Sequence, residues 1–365
     1  MVSRRLITAA ALSALGVSSF VVPGAPLTAR AEAAGTTRTV GPGVNLKAAL
    51  IALKPGDTLA LLPGVYRTGM VSPPPATLAI GADRKMHRGT PSARITVRAA
   101  DPSKRPLILG ELKLWGATYW TLDGLRVQAV DRTRDALYMG GGTGWTVKNS
   151  EFFGASVTNA YSNVTISSDS YGTGAPRGFM FTGNCVHDAG RSTGRARYGT
   201  DHNIYVSYAG DRGSGGVISR NVIFNHANGV GIKLGNGGIP RAPGPWNVQV
   251  AYNTIAQGGR QVFLHADVRG NTISRNILAD STQPFGVVKT TVSVYLSNVI
   301  GGGNGFVNNY ATGSTQFVFG KSARIGVDNA VRPSPHFSGS GCGGFRPTTP
   351  AAVGYGRYGS GPLPG

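Results

Sequence analysis

The chain has 365 residues and a formal charge of +20, with 36 Lys and Arg against 16 Asp and Glu. Cations in such excess imply a polyanionic partner or surface, with charge serving only solubility as the alternative. An export signal and the lack of a recognisable binding motif argue against nucleic acid as that partner.

Ser3-Arg4-Arg5 supplies a charged start and Leu6 to Val22 an apolar stretch with small residues. Ala29-Arg30-Ala31 and Ala31-Glu32-Ala33 are overlapping small-x-small cleavage sites, so residues 1–33 read as an export signal peptide. The paired arginines resemble a twin-arginine signal. Pro23 and Pro26 break the apolar run and no second long one follows, which argues against a membrane anchor. A secreted, extracellular chain starting near Glu32 or Ala34 would keep a charge of about +17.

Residues 45–53 read as the one helix, with Asn45 as its N-cap and Lys54-Pro55-Gly56-Asp57 as its stop. Beyond it, short runs of β-branched and aromatic residues alternate with Gly, Asn, Asp and Ser clusters, an all-β signature. Asn184-Cys185-Val186, Asn221-Val222-Ile223, Asn253-Thr254-Ile255, Asn276-Ile277-Leu278 and Asn298-Val299-Ile300 share one pattern. Their spacing, with no helix per unit, predicts a β-solenoid of roughly ten coils. An asparagine at a fixed turn tolerates left-handed backbone and stacks as a hydrogen-bonded ladder, so this column is structural. Cys185 lies among small apolar residues in one such strand; a buried free thiol is expected, with a bridge to Cys342 as the alternative.

Asn45 to Leu50, Lys54-Pro55-Gly56-Asp57-Thr58-Leu59 and Leu62-Pro63-Gly64-Val65-Tyr66 look like the N-terminal cap and first strand of a known group. Gly89-Thr90-Pro91, Ile95 to Ala99, Trp120 to Leu125 and Gly344-Phe345-Arg346-Pro347 continue the likeness. Through these residues the chain resembles secreted right-handed parallel β-helix proteins of the carbohydrate-active type. The resemblance implies an all-β chain: a single-stranded right-handed parallel β-helix over residues 36–340, with an N-terminal capping helix and an irregular tail over 341–365. It does not choose a reaction, because the fold hosts many.

Register arithmetic locates a candidate site. Stacking Ile204-Tyr205-Val206, Ile232-Lys233-Leu234 and Leu264-His265-Ala266 puts Tyr205, Lys233 and His265 in one outward column, with the apolar neighbours turned inward. Lys289 would extend it with a one-residue slip. Gly231 and Gly235 would leave Lys233 over bare backbone, with Asn203, Ser207, Phe263 and Asp267 as the surrounding floor. The segment between Asn184 and Tyr205 carries Arg191, Arg195, Arg197 and His202, a cationic rim suited to carboxylates or sulfates. A single outward Tyr, Lys or His would be read as merely solvated; for the three stacked together, a solvated face and a reaction centre both stay open.

Lys233 would act as the base of a β-elimination on a uronate, Tyr205, His265 or His202 as proton carriers, and Arg191, Arg195, Arg197, Arg241, Arg260 and Asn203 as substrate ligands. The same proton abstraction without expulsion would be C5 epimerisation, and Tyr198-Gly199-Thr200-Asp201-His202 is loosely similar to the Asp/His segment of mannuronan epimerases. The Lys233 strand resembles that of the alginate lyase and chondroitinase B family, β-helix enzymes with a lysine base. There an arginine precedes the histidine of the next coil, where this chain has Leu264, and acidic calcium ligands stand where this chain has Asn228 and Gly231.

A glycoside hydrolase would need two carboxyl groups, for which Asp188, Asp201 and Asp211 are the candidates. A non-catalytic β-helix that binds glycans needs only the charge. No cofactor follows from the sequence; calcium is chemically admissible but lacks an acidic cluster to hold it. A monomer acting on an acidic polysaccharide, most simply a polysaccharide lyase, is the resulting expectation.

Overall fold

The computed structural model describes residues 35–68, 77–81, 85–130, 135–155, 161–170, 173–190, 201–236, 242–282, 284–285, 290–320, 324–325 and 329–363. The expected export signal lies outside them. No described helix is long and apolar enough to cross a membrane.

Asn45 caps the helix as its side-chain oxygen accepts from the Ala48 amide, and the helix, Leu46–Ile51, buries Leu46, Ala49 and Leu50. The rest of the body is a right-handed parallel β-helix. Most coils give a strand to each of three faces, the second and third of which are joined into one large sheet. The first sheet stacks eleven strands, from Thr37–Val40 to Arg324–Ile325, all in parallel register with the coil before. The second runs through Glu151–Phe153 and Cys185–His187, the third through Asp135–Gly140, Ser162–Ser167 and His202–Ser207. Two long strands, Val222–Leu234 and Thr254–His265, turn the corner without a break and join the second sheet to the third.

Strand alternation fills the interior. Leu59, Val97, Leu122, Val147, Phe181, Ile218, Val250, Ile273 and Phe306 are successive register partners in the first sheet and all are buried. Burial of each such side chain stabilises the coil by roughly 1.5–3 kcal/mol.

The asparagine ladder forms, with two differences from the sequence reading. Its members are Asn184, Asn221, Asn253, Asn276, Asn309 and Asn329, each Oδ1 accepting the backbone N–H of the preceding member. Asn298 is not among them: it ends Thr290–Ser297 on the exposed side, and its spacing from Asn276 is coincidental. The left-handed residue is the one before each of the first five ladder asparagines, namely Gly183, Arg220, Tyr252, Arg275 and Asn308. The asparagines supply the hydrogen bonds, and their neighbours supply the turn.

The two cysteines form a disulfide, contrary to the expected free thiol. Val186 is the inward residue of its strand; Cys185 faces out, beneath the returning C-terminal segment. That segment is ordered. It carries the antiparallel pair of Phe337–Ser338 with Arg346–Pro347 and packs Phe345 and Ala352 on Val222, Ala256, Ile277 and Tyr310.

Candidate active site

One column runs up the outer face of the third sheet: Ala79, Lys113, Tyr138, Thr165, Tyr205, Lys233, Phe263, Tyr295 and Phe319 are successive register partners. Tyr205 and Lys233 are neighbours in it, as the sequence arithmetic requires. His265 is not the next rung; Phe263 is. Between His226 and Val230 the pairing slips by two residues, so Val222 faces Thr254 but Lys233 faces Phe263. A slip of two preserves the face each side chain takes. His265 therefore still points outward, but stands over Gly235, where a Cβ would lie 2.9 Å from its own.

The Lys233 amine is held between rings, 5.1 Å from the Tyr205 centroid and 5.2 Å from that of Phe263, with the residue only 5% exposed. Burial first, and the Arg260 guanidinium second, bring its pKa down to about 8. Arg260 lies over the Tyr295 ring at 4.3 Å and the Phe263 ring at 5.7 Å. His265 Nδ1 is 2.9 Å from the Ser297 carbonyl oxygen. A carbonyl only accepts, so Nδ1 carries the proton and, in the neutral ring, Nε2 presents a lone pair. Nε2 is buried and has no hydrogen-bond partner among the described residues. Burial, then the nearby Lys233, hold this imidazole below its usual pKa and favour that neutral form. His202 stacks on the Tyr205 ring at 4.7 Å and 17°, with its Nδ1 3.5 Å from Ser162 Oγ, and so backs the column.

Other sequence-predicted residues are placed differently. Asn203 is fully buried and turned inward: Oδ1 accepts from Asn163, and Nδ2 donates to the Phe224 carbonyl and approaches His226 Nδ1. It begins a strand where the chain rounds a corner, so alternation counted from Tyr205 fails there. His226 passes the chain on to Gln261, whose amide donates to Ala279. Gly231 is not open floor, because a Cβ there would sit 2.4 Å from Ile255 Cγ2. Asp267 lies past left-handed Ala266 and pairs with Arg269. Arg191, Arg195, Arg197, Arg241 and Lys289 lie outside the described residues.

The three aspartates a hydrolase would recruit are dispersed. Asp188 bonds His187 and Asn225 at the outer face of the second sheet, Asp211 pairs with Arg177 before the first, and Asp201 is buried at the start of the third. His187, bonded also to Glu151, is raised to about 9 despite burial, and Glu151 is lowered to about 2; this is a structural ion cluster beside the disulfide. The groups described around Lys233 are cationic or aromatic, not the oxygen set that calcium takes. The residues that sequence reasoning underrated are Phe263, as the ring on Lys233, and Tyr295, as the ring under Arg260. Outward parity in consecutive strands was the available signal.

No family model matches the chain, and no curated protein matches it by sequence. Among solved structures it is similar to pectate lyase Pel9A, with 18% identity, 82% of this chain and 78% of that chain covered, and a TM-score of 0.49. A mannuronic acid specific polysaccharide family 6 lyase from human gut microbiota gives 16% identity, coverage of 78% and 66%, and 0.48. The PL6 alginate lyase AlyGC gives 15% identity, coverage of 80% and 42%, and 0.49, so this chain spans less than half of that protein. At such scores and identities none of these likenesses fixes a reaction.

Proposed function

We propose that the chain is a polysaccharide lyase that cleaves an acidic, uronate-containing polymer by β-elimination outside the cell, with Lys233 as base. The observation that carries this reading is a buried amine held outward between the Tyr205 and Phe263 rings, with Arg260 beside it. An amine with a pKa of about 8 is substantially neutral at mildly alkaline pH and able to take a proton.

In the step, Nζ removes the C5 proton of the uronate. The C5–H electrons become the C4–C5 double bond, and the C4–O bond breaks. The departing oxygen takes a proton from the Tyr205 hydroxyl, and Lys233 and Tyr205 then exchange protons with water to reset. Arg260 faces the carboxylate, whose charge grows as C5 is deprotonated. His265 is unsuited to protonate the leaving oxygen, since its available nitrogen is an acceptor; it receives a sugar hydroxyl instead. The disulfide suits an oxidising compartment, in keeping with export.

Incubation with alginate, pectate and glycosaminoglycans is the test. New ultraviolet absorbance from an unsaturated uronate is expected with at least one polymer. Reducing ends without that absorbance would mean hydrolysis, altered uronate stereochemistry without cleavage would mean epimerisation, and binding alone would mean a module. Lys233→Ala should remove turnover while keeping binding; surviving turnover would end the lysine-base reading.

A further inference from the structure

We infer that a second sugar subsite, for another unit of the same acidic chain, lies four coils before Lys233 on the same column, built from Glu111, Lys113, Trp115 and Tyr138. The inference rests on the reading of Lys233 as the cleavage site and extends it. Four coil steps correspond to roughly 19 Å.

The cluster faces out, as Lys233 does. Its amine repeats the ring-flanked arrangement: Lys113 Nζ is 4.2 Å from the Tyr138 centroid and 5.3 Å from that of Trp115. Both rings are only half-buried. Trp115 is register partner to Gly140, and a Cβ on Gly140 would fall 2.4 Å from the indole Cε3. Only glycine allows the indole to lie down across the next coil, which makes a platform of it.

Glu111 adds an independent sign of a ligand. The residue is 3% exposed and Oε2 accepts from Thr77, yet Oε1 has no hydrogen-bond partner among the described residues; Lys113 Nζ stands 3.5 Å from it. This oxygen is ion-paired with Lys113 but accepts no hydrogen bond among the described residues, so its remaining acceptor capacity suits a sugar hydroxyl. The pyranose would lie on Trp115, its carboxylate on Lys113, and a hydroxyl would donate to Glu111. Between this cluster and Lys233 the outward positions are small or polar: Gly140, Thr165, Ser167 and Ser207. Rings thus stand at both ends of a run of small and hydroxyl-bearing side chains, in which Thr165 donates to the Asp135 carboxylate.

The test separates binding from turnover. Short (about three-unit) and long (about eight-unit) oligouronates are titrated calorimetrically in the Lys233→Ala background, with Trp115→Ala or Lys113→Gln added; turnover is followed separately with Lys233 intact. Trp115→Ala should cut the preference for long over short oligomers roughly tenfold. Lys113→Gln, a milder change on a partly buried side chain, should cut it about threefold and lessen its salt sensitivity. An unchanged preference in either folded variant, or equal losses for short and long oligomers, would overturn the subsite and leave the lyase reading intact. A length preference that falls as expected, together with no turnover when Lys233 is intact, would leave the subsite standing and overturn the lyase reading.

Discussion

Lys233 and Arg260 share one aromatic wall: the Phe263 centroid lies 5.2 Å from the lysine Nζ and 5.7 Å from the guanidinium carbon. Two cations on one ring repel each other, and the guanidinium, which stays charged, helps drive the amine toward its neutral form. The rate should therefore rise with pH along a limb centred near 8. Arg260→Gln should move that limb to higher pH and lower kcat/KM at neutral pH by roughly 10²-fold, since the carboxylate also loses its cation. A pH profile of kcat/KM for both proteins checks this; an unmoved limb would uncouple the two residues.

Tyr205 carries the proton for the departing sugar in the proposed step. Tyr205→Phe keeps the ring against Lys233 and His202 but removes the hydroxyl. Turnover should fall about 10²–10⁴-fold with KM little changed. Steady-state kinetics on a single polymer suffice, and a loss confined to KM would reassign the hydroxyl to binding.

The disulfide pins the C-terminal segment to the outer face of the second sheet across 157 residues of sequence. Replacing both cysteines with serine should cost about 2–5 kcal/mol in unfolding free energy, read by urea denaturation with and without reductant. The loss should vanish when both proteins are compared reduced. The site lies on another sheet, so activity below the unfolding transition should persist.

Acid should destabilise the protein in two separable stages. His226, fully buried, is pushed down from 6.5 to about 4, so it folds neutral while the unfolded chain binds a proton. Its contribution is complete above about 6.5 and is lost as pH falls toward 4, on the order of 3 kcal/mol. Glu151 is depressed from 4.5 to about 2, so its share is lost only below about 4.5. Urea midpoints measured from pH 7.5 to 3 should show both stages, and His226→Gln should flatten the first alone.

Much of the architecture was legible because a β-helix writes each coil locally. The helix cap at Asn45 and the inward apolar residues could be read without knowing any distant contact. The Tyr205–Lys233 pair was legible for the same reason: both strands keep strict alternation through the column. What failed depended on corners. The slip between His226 and Val230 displaced His265 by two residues, and the corner at Asn203 turned a supposed ligand into the interior. Backbone bends of this kind are set by buried hydrogen bonds, here from Asn163 to Gln261, which no periodicity announces. The disulfide was missed because the cover over Cys185 is a segment distant in sequence.

In the asparagine ladder each side chain hands its oxygen to the coil before and its amide hydrogens to backbone carbonyl and the coil after. Such a spine is indifferent to how many members it has. Whole turns of the solenoid are thus interchangeable parts, whereas a one-residue insertion inside a strand would reverse every face beyond it. Reach along a polymer would then change in discrete increments, by duplicating or deleting one complete turn.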